Sequence, residues 1–185
     1  MKEELKLKLF QTVEDQLPLA DFESWLYRQE DLSLQMDENL ILELYSFNYK
    51  QQGAKYAFKS LMLPYLESEE FMRWKVKTNL QDLIDGKESA YRILDEFYWQ
   101  LSDQLPFLQK LSYHVFNLEE SEYGPDSRAQ VMADIKLEAS ALLKEILENE
   151  QAKPAFAIYS FRRKPISWTD AKMADAENSK KWWQL

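Results

Sequence analysis

Three glycines and six prolines are all the backbone punctuation in 185 residues, and they fall where the rules for ending and starting helices would put them. Between them, apolar residues recur at intervals of three and four. Leu5, Leu9, Val13 and Leu17 share one helical face that stops at Pro18. Asp21 can cap a short second helix bearing Phe22, Trp25 and Leu26. Leu40 to Tyr49 mixes strand-like and helical features, and Asp37, placed as an N-cap, tips it towards helix. After Gly53, the positions Ala54, Ala57, Phe58, Leu61, Met62 and Tyr65 predict a core-facing helix with Pro64 in its last turn.

The following segments decide the fold class. Ser68 can cap a helix with Glu69 and Glu70 in its first turn and Met72, Val76, Leu80 and Leu83 as its stripe, ended by Gly86. Ala90, Ile93, Leu94, Phe97, Tyr98 and Leu101 give the clearest helical period in the chain. Pro106 suits a first helical position before Leu108, Leu111, Val115 and Leu118. Ser127 with Gln130 forms a capping box opening a helix of about 24 residues, roughly 36 Å long, with Val131, Ile135, Ala139, Leu142 and Ile146 inward. No fixed-period repeat occurs. The expected fold is all-α: an irregular helical bundle with a short extended C-terminal arm.

Past Lys153 the texture changes. Pro154 opens the apolar run Ala155 to Phe161, followed by Arg162-Arg163-Lys164 and Pro165. The run has strand-like composition and could pair with 40–49, but an extended arm on the bundle is the preferred reading. A brief helix from Asp170 and the tail Lys180 to Leu185 complete the chain, and Trp182 and Trp183 must dock on the body or serve a partner. The expected organisation is an acidic helical bundle over residues 1–153 and, over 154–185, a basic, aromatic arm and short helix packed on it.

Charge follows the same division. Residues 154–185 carry a net +3 and residues 1–153 a net −12 within a total of −9. An anionic body disfavours nucleic acid and anionic lipid as partners and speeds association with a basic protein. The absence of cysteine removes a disulfide framework, a thiolate metal site and a cysteine nucleophile together, and fits a reducing compartment. Met1-Lys2-Glu3-Glu4 leads into an amphipathic pattern with no signal-like apolar stretch and no membrane-length run. A cytoplasmic location is expected, with no membrane partner.

Catalytic constellations are hard to assemble. His114 is the only histidine, so a zinc site of the usual ligand types is improbable, and at the edge of an apolar stripe it reads as a hydrogen-bonding boundary residue. A di-iron bundle needs Glu-x-x-His pairs, and Leu111 stands three residues before His114. No Gly-x-Gly or Gly-Lys-Ser/Thr element exists to cradle phosphate. Asp95 with Glu96, and Glu145 with Glu148, are acid pairs that on helices read as solvated faces. No catalytic, cofactor or metal residue is assigned.

Recognition surface remains. Glu119, Glu120, Glu122 and Asp126, with Tyr123 and Gly124-Pro125 among them, form an anionic connection between two helices. Glu67, Glu69 and Glu70 form a second cluster, explained in part by their place at a helix start. These eight acidic and tyrosine positions are the expected partner-binding residues. Trp74 and Trp99 could anchor an interface, although aromatics at helical spacing more often fill cores.

Asp21-Phe22-Glu23-Ser24-Trp25-Leu26-Tyr27, then Asn39 to Lys50, Phe71-Met72-Arg73-Trp74-Lys75 and Leu80-Gln81-Asp82-Leu83-Ile84, resemble a family of small helical bacterial proteins from polymorphic-toxin and contact-dependent growth-inhibition immunity loci. Where that family carries Gly-Glu-Asp, this chain has Met36-Asp37-Glu38. The resemblance implies a helical fold and an immunity protein that binds and neutralises a cognate toxin domain in the cytosol, and it implies no site residue; the acidic body fits a basic toxin, such as a nuclease. Two alternatives stay open: an acidic all-α adaptor or regulator unrelated to toxins, and a helical enzyme using carboxylates with a metal.

Overall fold

Spacing at three and four does fold as helix. The computed structural model describes residues 3–29, 37–87, 89–123, 127–153 and 156–163, and among these residues all regular structure is helical. The fold is all-α. The chain divides into two compact units, Met1–Lys87 and Glu88–Leu185.

The first unit contains α1 (Glu3–Val13), α2 (Leu19–Leu26), α3 (Glu38–Ser46), α4 (Ala54–Met62) and α5 (Ser68–Asp85). α1 buries Leu5, Leu9 and Val13 but does not continue to Leu17. Asp15 turns the backbone left-handed, at φ 61°, a region that Asp tolerates because its short polar side chain can bond locally. The Gln11 carbonyl then accepts the backbone N–H of Gln16 and of Leu17, at 2.8 and 3.1 Å, which satisfies an end that would otherwise be orphaned. Leu17 still packs against the core from outside the helix.

Two expected caps move. α2 is preceded by Pro18 without a side-chain cap, and Asp21 sits inside its first turn. Glu67, not Ser68, precedes α5, again without a side-chain bond. Asp37 does cap α3, accepting from the backbone N–H of Asn39 and Leu40 at 2.9 and 3.3 Å, and this resolves the 40–49 ambiguity to helix. At the other end of α3, the buried Tyr49 hydroxyl donates to the Leu44 carbonyl at 2.7 Å. Gly86 ends α5 at φ 71°, as a glycine C-cap should.

The core of this unit is aromatic. Phe58 lies 5.3 Å from both Phe22 and Phe47, edge to face, and Phe10 lies 5.1 Å from Phe71 and 5.4 Å from Trp74. Trp74 is thus part of the packing. One buried ion pair crosses it: Lys75 lies 2.9 Å from Glu14, both about 8% exposed. Lys59 also approaches the Glu14 carboxylate, to 3.7 Å, so this nearly buried acid sits between two ammonium groups.

In the second unit α6 (Ala90–Glu96) runs into a wider π turn, Phe97–Leu101. A 3-10 turn, Pro106–Leu108, leads into α7 (Gln109–Ser112), and Tyr113 separates it from α8 (His114–Glu120); the sequence had implied one helix from Pro106 to Leu118. α9 (Ser127–Ala152) buries Ile135, Ala139, Leu142 and Ile146 at helical intervals and packs on α7 and α8. Gln130 donates to Asp134 at 2.9 Å; the Ser127 side chain, and with it the capping box, lies outside the described residues.

Residues 156–163 form no strand. Extended backbone at Ala157 and Phe161 flanks a single 3-10 turn, Ile158–Ser160, while Phe156, Ile158 and Phe161 are buried. Phe161 meets Phe107 at 4.9 Å and Phe156 at 5.8 Å. The expected helix from Asp170 and the pair Trp182 and Trp183 lie outside the described residues. No helix of the described residues is long and apolar enough to cross a membrane.

Candidate functional site

The two acidic clusters fare differently. In the first unit Glu70 is engaged by Lys6 at 2.9 Å, Glu69 is half-buried, and Glu67 is exposed before the start of α5. In the second unit Glu119 and Glu120 are not loop residues: they form the last turn of α8, and Glu122 follows in the 3-10 turn Ser121–Tyr123. All three acids are exposed. Glu122 lies 3.9 Å from Arg128, a solvent-facing pair of little energetic weight. Asp126 and the Tyr123 side chain lie outside the described residues.

Around Glu119 the helices assemble a face. Tyr91, at the start of α6, donates its hydroxyl to the Glu119 carboxylate at 2.5 Å, at the end of α8. That bond first, then slight desolvation and the negative charges of Glu119, Asp95 and Glu122, hold the Tyr91 phenol above its usual pKa of 10. At the opposite end, Tyr98 in the π turn meets Phe116 at 5.0 Å and Tyr113 at 5.6 Å. The beginning of α6 therefore lies against the end of α8, and the end of α6 against its beginning. The two helices run antiparallel.

Periodicity explains what this face presents. On α6 and its π turn, Ile93, Leu94, Phe97 and Leu101 turn inward, which leaves Tyr91, Asp95, Tyr98 and Trp99 on the other side. On α8, Val115 and Leu118 are buried, so Tyr113, Phe116, Glu119 and Glu120 face out. One end of the face is anionic and the other aromatic. Trp99 is 70% exposed, Tyr113 49% and Phe116 37%, and Trp99 stands edge-on to Tyr98 with centroids 4.7 Å apart. Three neighbouring rings left this open to water, with a half-buried fourth, Tyr98, among them, are uncommon unless something covers them. Of the two tryptophans read as anchors, Trp74 is packed into the first unit and Trp99 is available.

His114 belongs to a different arrangement. Its Nε2 lies 3.5 Å from the nearly buried Glu138 carboxylate, which Lys110 approaches to 3.2 Å and Arg163 to 3.2 Å. Asn117 bonds Nδ1 at 3.3 Å; with the amide donating, the ring proton sits on Nε2, towards the acid. Arg163 also forks onto Glu145, with Nη2 at 2.9 Å and Nε at 3.3 Å. Glu145 is thus half of a structural clasp and not a merely solvated acid, and Glu96 is similarly withdrawn, its side chain only 12% exposed beside Arg92. The hub pairs every base with an acid and presents no nucleophile. Among the described residues, no three His, Asp or Glu side chains are grouped so as to hold a metal ion.

Clefts are small. One of about 260 Å³ is lined by Thr12, Asp15, Leu17, Pro18, Leu19, Lys55 and Phe58, of which Lys55 and Asp15 are ion-paired at 2.8 Å. Another of about 210 Å³ lies between the end of α9 and residues 156–162. Both fall below the roughly 300–1,000 Å³ of most small-molecule sites.

Sequence reasoning found Glu119, Glu120, Glu122 and Trp99 but missed Tyr91, Asp95, Tyr98, Tyr113 and Phe116 as their neighbours. The signal was present: on both helices the side opposite the buried stripe carries aromatics where an ordinary exposed face carries Lys, Glu and Gln. Comparison with protein-family models, with characterised proteins and with solved structures finds no match to this chain.

Proposed function

We propose that this chain is a binding protein that captures a basic protein partner through the α6–α8 face, and that it acts as an immunity protein, neutralising a toxin domain in the cytosol by covering it. The observation that carries this reading is the gathering of Asp95, Glu119 and Glu122 around Tyr91 beside exposed aromatic rings. A patch with an anionic end and a ring cluster matches what protein interfaces use: aromatic anchors flanked by charge that selects the partner and steers it in. Exposed rings can also stack on nucleic-acid bases, but such sites line the backbone path with cations. Here Asp95, Glu119, Glu120 and Glu122 would repel phosphate, Lys110 is held by Glu138 and Arg92 by Glu96.

The resemblance to immunity proteins and the −12 body support a basic toxin such as a nuclease, whose own phosphate groove seeks anions. The test is co-expression with the toxin domain encoded by a neighbouring gene. A stable one-to-one complex in which the toxin is inactive is expected. A toxin that elutes alone and keeps its activity contradicts the immunity reading, and loss of complex on Glu119→Lys with Glu122→Lys locates it on this face.

A further inference from the structure

The proposed function leaves the aromatic end of the face without a defined task. Trp99 is the most exposed of its rings. It is carried on a π turn, in which an extra residue widens the helix, a feature frequent at functional sites. With Tyr98 standing perpendicular to it at 4.7 Å and Tyr98 itself pinned by Phe116 and Tyr113, the indole is buttressed on one side and open on the others. Asp95 lies one helical turn before Trp99, about 6 Å along the axis.

An open indole, a perpendicular phenol and a carboxylate one turn away make a complementary setting for a planar cation. Guanidinium stacks on a ring face while its edge N–H groups bond a carboxylate in a fork; an ammonium can do only one of these well. An apolar side chain would use the rings but leave Asp95 facing a desolvated neighbour, which is unfavourable. Anionic lipid would meet Asp95 and Glu119 with like charge.

We propose that the Trp99–Tyr98 corner with Asp95 is an arginine-binding subsite, in which an arginine of the basic partner lies flat on the Trp99 indole and bonds the Asp95 carboxylate. This rests on the reading above that the partner is a basic protein, and it names the residue by which that partner is gripped. Glu119 and Glu122, at the far end of the face, meet the partner's remaining positive charge. Trp99 then governs how long the complex lasts and the acids govern how fast it forms.

The experiment uses the full chain with 15N-labelled indoles and three soluble peptides of one sequence: one with two arginines spaced by three residues, one with lysines there, and one with citrullines, which keep arginine's shape without its charge. The Trp99 indole resonance, assigned by its loss in Trp99→Phe, should move on titration with the arginine peptide. Lysine should bind about threefold weaker and citrulline about tenfold weaker. Trp99→Ala should lose about tenfold, Trp99→Phe about threefold, and Asp95→Asn about fivefold, with circular dichroism unchanged because Trp99 is exposed and Asn keeps the size of the half-buried Asp95.

Equal binding of arginine and citrulline peptides, or Trp99→Ala binding like the wild type, overturns the subsite while leaving capture of a basic protein by the anionic end standing. Conversely, arginine selectivity lost on Trp99→Ala upholds the subsite even if the toxin domain is not captured. If the Trp99 resonance shifts, without any peptide, on Lys180→Ala with Lys181→Ala, the chain's own basic segment is the occupant and the partner-arginine assignment falls.

Discussion

Tyr49 shows how one side chain can close a helix. The last carbonyls of any helix lack partners within it, and α3 ends at Ser46 with Phe47 already extended. Tyr49 folds back and donates to Leu44 at 2.7 Å, and burial, chiefly, pushes its phenol pKa well upward, with the negative charge of Glu23 contributing. Tyr49→Phe keeps the ring that packs with Phe22, Phe47 and Phe58 and removes the donor alone. The Leu44 carbonyl is then buried without a partner, and a loss of about 1–2 kcal/mol of unfolding free energy is expected. Urea denaturation measures it. A midpoint equal to that of the wild type would mean that water reaches this carbonyl.

Elements were legible where their ends are written in residues with a single structural meaning. Gly86, as a left-handed stop, and Asp37, as a cap, could be read directly, and so could most of the buried stripes of α5 and α9, although Met72 and Val131 are only half-buried and Phe71 takes the inward place on α5. Asp15 could not. It performs a glycine's task at the end of α1 with a side chain that is more often a cap or a surface charge, so the stripe was extended to Leu17. Nor does the period of Phe97, Tyr98 and Leu101 separate a π turn from an α-helix, since three-and-four spacing fits both. The break at Tyr113 has no glycine or proline to announce it. For the site, the acids at the end of α8 were visible as a charge run, but their alignment with Tyr91 and Asp95 depends on the antiparallel pairing of α6 with α8, and a single sequence does not specify which exposed faces adjoin.

The segment 156–163 yields a prediction at this scale. Its phenylalanines, Phe156 and Phe161, are buried, and Arg163 clasps Glu138 and Glu145 on α9 through a charged fork. Because Arg163 is only 24% exposed, these bonds are weakly screened. Arg163→Ala should cost about 1–3 kcal/mol and should speed amide exchange in residues 156–163 far more than in α9. Arg163→Lys should recover less than half of the loss, since a point charge cannot span both carboxylates in a fork. Hydrogen exchange followed by mass spectrometry distinguishes the three proteins, and equal protection in all of them would show that Phe156, Ile158 and Phe161 hold the segment unaided.

At the scale of the molecule, charge and anchor have separable consequences. A body of net charge −12 over residues 1–153 attracts a basic protein over roughly a Debye length, about 8–10 Å at ordinary salt, and this acts on encounter. Rings that become buried act on residence. The central claim, that a basic protein partner docks on the α6–α8 face, is therefore tested most directly by association and dissociation rates measured from low to high salt. The comparison is wild type against Glu119→Gln and Glu122→Gln combined, with the proposed toxin domain as ligand. The account predicts that association slows steeply with salt for the wild type, that the neutralised variant starts about tenfold slower at low salt and responds weakly to it, and that the two dissociate at similar rates. Identical association rates for the two proteins at low salt would place the encounter surface elsewhere and contradict the account.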